Sequence, residues 1–405
     1  MRKIFYIMSV DKTIILAAAA IALTLFGDSI LYNVLPLYAE NLGIPLVAVG
    51  VLLSINRWIR LLTNPLAARI FEKYGARKPL MFAVAGGVAV IFIYAGGRGL
   101  LIFMIARIIW GLCWSHLRLG NFLLVIGKAK NNLGLAMGAT NSIWRIGSLM
   151  TVVLGGFLID RMGYRSGMLI IGLAAVPAIL LMKYAVSDIK KNIGQTGSQK
   201  TGKDLKPKTA DSNKLTPGIC YMTIFVNSFI AGFIISSLSL VLQNRLPPVL
   251  SFRGFSFGIA TITGMMLAVR YGSYTILSPV TGFLVDHWGS ERTYKIFISI
   301  LMISLLCFAL ITVPVITLIM VCLLFFSSTA LETILNTAVA ERKDAGSTPG
   351  RLSVYNSFQD FGAASGPLLG YVVGVYIDFT YAYLMGVIGL SIILFLKEFH
   401  YSSSR

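Results

Sequence analysis

"LLSINRWIRLLTNPLAARIFEKYG", Leu52 to Gly75, places two arginines, Arg57 and Arg60, inside an apolar stretch and then closes in a run of charges. In a soluble helix such arginines would form a wet face. Here their neighbours are Leu, Ile and Trp, so the reading depends on the surrounding solvent. The 405-residue chain is 56% hydrophobic and 13% charged, and soluble domains carry roughly 25% charged residues. That balance identifies a membrane protein. The net charge of +19 does not point to nucleic acid, because the basic residues sit in short segments between apolar stretches.

A membrane span needs about 20 apolar residues. Segments of that kind recur about twelve times, so the fold class is an all-α integral membrane protein. The first apolar run continues to Tyr38, too long for a secretory signal of about 7–15 residues, and reads as the first span. The long polar segment 187–217, rich in Lys, Gly, Ser and Thr, reads as a flexible linker. It separates a six-helix bundle over 1–186 from a second over 218–405. With Arg2, Lys3 and Lys12 inside, Lys73, Arg77, Lys78 and the linker lysines also fall inside, against Arg98, Arg161, Arg165, Arg245 and Arg253 outside. Both termini are then cytoplasmic in a multi-pass cell-membrane protein. Cys113, Cys220, Cys307 and Cys322 show no metal or disulfide spacing and read as small apolar residues. Neither a metal nor a cofactor is implied.

The halves repeat. "NPLAARIFEKYGARK" (64–78) matches "SPVTGFLVDHWGSER" (278–292), with Pro65/Pro279 and Gly75/Gly289 both 214 apart. "NSIWRIGS" (141–148) matches "NSFQDFGA" (356–363) at a spacing of 215. Parallel six-helix repeats are a transporter architecture. On these motifs the chain resembles the major facilitator superfamily over nearly its whole length. The family's loop after the second helix appears as "AARIFEKYGARK", with Ala68 for the usual Gly and Glu72 for the usual Asp. The second half offers "GFLVDHWGSER", with Gly282, Asp286, Gly289 and Arg292 in place. "RIIWG" (107–111) is similar to the family's fourth-helix signature. "GAASGPLLG" (362–370) is like the exporters' glycine-proline signature, but on helix eleven instead of five. The resemblance implies the twelve-helix, two-bundle fold, alternating access, a monomer, and gating roles for Glu72, Arg77, Asp286 and Arg292.

The charges within the spans mark the site. A lone Arg at mid-helix costs about 2.5–3.5 kcal/mol, yet Arg57, Arg60, Arg107, Arg118, Arg145 and Arg270 lie there with Asp28, Glu332 and Asp360. Arg57 and Arg60 share one helical face, as do Arg107, Gly111, Trp114 and Arg118. Asp28 and Tyr32 share another, with Asn33 beside it. Six arginines against three acids leave a positive surplus, and Arg forks carboxylate or phosphate well. Arg57, Arg60, Arg118, Arg145, Arg270, Tyr32, Asn33 and Trp114 are therefore the candidate substrate residues, for a small organic anion. Desolvation and nearby Arg push a carboxyl's protonation in opposite directions, so Asp28, Glu332 and Asp360, with Arg107, are the proton-coupling candidates.

The leading expectation is thus a proton-coupled secondary transporter of a small organic anion, with export favoured. The partners are the substrate, protons and membrane lipids. Efflux of amphiphilic drugs by proton antiport is the alternative. It is disfavoured by the arginine surplus and by a fifth helix, "GSLMTVVLGG", that lacks the proline. A non-transporting sensor and a lipid-modifying enzyme are the alternatives of other classes. His116, His287 and His400 lie on separate segments without ligand spacing, and no GxxxxGK[ST] loop occurs, so neither an enzyme nor an ATP-driven pump is implied.

Overall fold

The computed structural model describes residues 10–129, 133–187, 217–252, 255–341 and 348–402. Nearly all of the predicted linker therefore lies outside the described residues. Helices run in chain order as α1 (Lys12–Tyr38), α2 (Leu46–Tyr74), α3 (Arg77–Gly96), α4 (Leu100–Lys128), α5 (Leu133–Met162) and α6 (Tyr164–Ala185). Then follow α7 (Tyr221–Arg245), α8 (Ile259–Trp288), α9 (Ser290–Leu310), α10 (Pro314–Glu341), α11 (Thr348–Val373) and α12 (Phe379–Ser402). The chain divides into two compact units, Met1–Ile44 with Ile55–Lys206, and Pro45–Ser54 with Pro207–Arg405.

Among the described residues ten helices are long and apolar enough to cross a membrane. Two features separate that number from the predicted twelve. Helix α8 is continuous, but its middle carries Arg270, Tyr271, Ser273 and Tyr274 and is less apolar. The predicted break between helices eleven and twelve is absent: Gly374–Asp378 is a π-helical stretch, so Ser357–Leu394 counts as one span. A second π stretch, Val226–Ile234, lies within α7. Such widened turns keep the backbone hydrogen-bonded while changing a helix's course. The all-α fold carries one small addition. Between α7 and α8, Val249–Phe252 pairs antiparallel with Phe255–Gly258 as β1 and β2, a segment rich in Val, Leu and Phe that suits strands.

Each unit is held by a close crossing of small residues. In the first, α1 packs on α5. Gly147 faces Ala22, Gly155 faces Ile30, and the Ser29 hydroxyl donates to Ser148 Oγ at 2.9 Å. In the second, α7 packs on α11. There Gly362 faces Ile224, Gly366 faces the Ser228 carbonyl and Gly370 faces the Phe233 ring. Gly147 and Gly155 stand 215 residues before Gly362 and Gly370, so the repeat preserves the crossing itself. Without a hydrophobic drive between helices in lipid, close backbone approach and hydrogen bonds do this work. Arg245, at the end of α7, donates to the carbonyls of Phe308 and Ile311 at 2.6 and 3.1 Å, capping the C-terminus of α9.

The matched loops share a backbone device. Gly75 has φ 70° and Gly289 φ 81°, and their N–H groups donate to Phe71 and Val285 carbonyls at 2.9 Å. Both glycines therefore end one helix and aim the next. At Gly289, ψ is 153°, a combination that essentially only glycine adopts. Gly289→Ala is expected to cost about 1–3 kcal/mol, measured as a lower melting temperature in detergent.

Candidate functional site

The first unit builds a charged cluster from three helices. The "RIIWG" stretch lies on α4, where Arg107 is fully buried and its Nη1 donates to Asp28 Oδ1 on α1 at 2.5 Å. The Asp28 side chain keeps 21% of its exposure. From α2, Asn56 Nδ2 donates to the same oxygen at 3.5 Å. Gly111 makes this approach possible: a Cβ there would stand 2.6 Å from the Asn56 carbonyl oxygen. One turn after Asp28, the Tyr32 ring lies 5.5 Å from both the Arg107 and the Arg57 guanidinium carbons. Arg107 Nη2 also donates to its hydroxyl at 3.4 Å. Arg107, Asp28, Tyr32 and Arg57, which the sequence placed on separate helical faces, thus meet in one cluster.

An aromatic wall continues from this cluster along α4. Trp110 and Trp114 have ring centroids 5.9 Å apart, and Trp114 meets Trp144 of α5 edge-on at 5.5 Å. The Trp144 indole N–H is buried without a hydrogen-bond partner among the described residues, a donor available to a ligand. His116 is held differently. Its Nδ1 lies 2.8 Å from the Leu112 carbonyl and its ring sits 6.0 Å from that of Phe71.

The second unit carries its own chain of polar groups. Arg270 of α8 is 7% exposed. Its Nη2 donates to the Tyr274 hydroxyl at 3.1 Å, and that hydroxyl donates in turn to Glu332 Oε2 of α10. The guanidinium also lies 5.5 and 5.7 Å from the Tyr274 and Phe325 rings. A phenol between guanidinium and carboxylate links the two charges without direct contact.

The remaining candidates fall elsewhere. Arg60, Arg145 and Asp360 are half-buried on α2, α5 and α11, and Arg118 is exposed on α4. Asn33 is fully buried, and its amide donates to the Val152 carbonyl at 3.4 Å, which places it in the α1–α5 crossing. Glu72, Arg77 and Arg292 are exposed at helix ends; Asp286 lies on α8 with its side chain outside the description. Sequence reasoning missed Asn56. A single amide among apolar residues gives no charge signal, but it stands beside Arg57 and 214 residues before Arg270.

Known proteins give a consistent picture. A family model described as Major Facilitator Superfamily matches residues 17–348 and 257–401. The multidrug resistance protein MdtG of Klebsiella pneumoniae (strain 342) is 24% identical over 364 residues, covering 88% of this chain and 85% of that protein. MdtG of Escherichia coli O17:K52:H18 (strain UMN026 / ExPEC) is 23% identical over 404 residues, covering 97% and 95%. Among solved structures, a POT family transporter in complex with 5-aminolevulinic acid superposes with a TM-score of 0.73 at 11% identity, covering 97% of this chain and 98% of that one.

Proposed function

Because the chain belongs to the Major Facilitator Superfamily, we propose that this secondary transporter of small molecules exports amphiphilic drugs in exchange for protons. Membership makes it a multi-pass membrane transporter and not an enzyme. The observation that carries the drug reading is the Asp28–Arg107 pair with its tryptophan wall. Flat aromatic surfaces accept lipophilic rings and, over their faces, cations. The relatives named for multidrug resistance, similar along most of their length, support the same reading.

The expectation of an anionic cargo rested on counting arginines. The structure engages two of them, since Arg107 is bound to Asp28 and Arg270 is linked through Tyr274 to Glu332, so the surplus of three rests on the other four. An organic anion remains the second reading, carried by Arg57 beside Tyr32.

Asp28 is the proposed proton site. Arg107 and Asn56 hold its carboxylate; a proton on Asp28 would weaken both contacts and release the Arg107 guanidinium. Glu332 and Asp360 are the proposed secondary acids. Glu72, Arg77, Asp286 and Arg292 are the proposed gating charges at the loop ends. Two six-helix bundles, 1–186 and 218–405, a linker over 187–217, cytoplasmic termini and a monomeric state complete the proposal.

A thermal-shift screen of the purified protein against lipophilic cations and organic anions tests it. A ligand at 100 times its dissociation constant stabilises by about 2.7 kcal/mol. Stabilisation by the cations, lost in Trp114→Ala, is the expected result. Stabilisation by anions alone, lost in Arg57→Ala, would transfer the assignment to the second reading.

A further inference from the structure

We propose that the first unit carries a binding site for one anionic phospholipid, in a slot on its outer face between α2, α3 and α4. The slot has a volume of about 370 Å³ and is walled by Leu66 and Ile70 of α2, Phe82 and Ala83 of α3, and Leu112 of α4. Phe82 is 77% exposed and Leu112 40%, so the slot opens sideways onto the surface that hydrocarbon covers. His116 lies at its back, but with Nδ1 turned onto the Leu112 carbonyl and the ring against Phe71. The interior is therefore a surface for an acyl chain.

One end of the slot differs in character. Lys78 lines it there, at the start of α3, whose first turn carries Arg77 and no acid. The end of α2 adds Arg69 and Lys73, both exposed, against the single acid Glu72. Lys78 thus stands at the slot's end, and the two helix ends beside it carry three further basic side chains against one acid. The ligand matching both parts has an anionic head and a hydrocarbon tail. Juxtamembrane Lys and Arg attract anionic lipids by about 1 kcal/mol each, and a slot lined by carbon retains one chain more strongly than open bilayer-facing surface. A free phosphate would use the basic end alone, and a zwitterionic lipid would gain little from it. This lipid site does not depend on the nature of the cargo.

The test uses the full chain, stripped of lipid in detergent. Dioleoyl phosphatidylglycerol, dioleoyl phosphatidylcholine and glycerol phosphate are added in turn. Melting temperature and lipid retention by native mass spectrometry are the readouts. The phosphatidylglycerol is expected to raise the melting temperature above the phosphatidylcholine value and to be retained as a single copy. Lys78→Gln should cut that retention about fivefold, the equivalent of one lysine. Leu112→Trp, at a part-exposed position, should weaken retention by filling the slot with its charge unchanged. Equal stabilisation by the two lipids, or a preference that survives both variants, overturns the site. Stabilisation by glycerol phosphate equal to that by phosphatidylglycerol overturns it as well, in favour of a plain anion site.

Discussion

Asp28→Asn is expected to lower stability more than Arg107→Gln does, although both break the same contact. Arginine cannot shed its charge in a protein, so Asp28→Asn leaves a fully buried guanidinium without its carboxylate. Breaking a buried pair in this way costs about 3–5 kcal/mol. Arg107→Gln instead leaves a carboxyl that is 21% exposed and so less completely desolvated than the guanidinium. The double variant Asp28→Asn with Arg107→Gln should recover most of the stability, because two neutral amides replace two charges. All three variants should lose drug export. Denaturation in detergent and drug efflux from cells provide the measurements. Wild-type stability in Asp28→Asn would show that the pair contributes nothing to the fold.

The second large effect lies at the α7–α11 crossing. In an open helical position, Gly→Ala is worth up to about 1 kcal/mol in favour of the folded state. Gly272 of α8 is such a position, with nothing among the described residues within 4 Å of an added Cβ. Gly366 is the opposite case, since its Cβ would overlap the Ser228 carbonyl oxygen, which a backbone cannot easily withdraw. Overpacking costs about 1–3 kcal/mol and occasionally more. Gly272→Ala should therefore raise the melting temperature slightly and Gly366→Ala should lower it by several degrees. The same direction of change at both positions would contradict the crossing described here.

The helices and their repeat could be read from sequence because apolar length and matched glycines are local signals. Gly75 and Gly289 announce their turns for the same reason: few other residues adopt their backbone angles. The partner of Arg107 was not legible. Asp28 lies 79 residues away in the chain, and only the packing of α1 against α4 decides that it, rather than Asp360 or Glu332, meets the guanidinium. Counting charges without this geometry could not tell the arginines held in pairs from those open to a cargo. The π-helical stretches were hidden too. Gly374–Asp378 carries no sequence mark of a widened turn; in lipid an open turn would strand backbone polar groups, so the helix continues through it. The pairing of Val249–Phe252 with Phe255–Gly258 lies in the outside segment between two spans, where runs this short give no clear periodicity.

The most direct test of the account is flux in proteoliposomes holding the purified protein and a lipophilic cationic dye. An imposed proton gradient should drive uphill movement of the dye against the protons. Asp28→Asn should abolish the uphill movement while Glu72→Gln leaves the dye's binding intact. Gradient-driven movement of organic anions with no movement of the dye, or dye transport that survives Asp28→Asn, would contradict it.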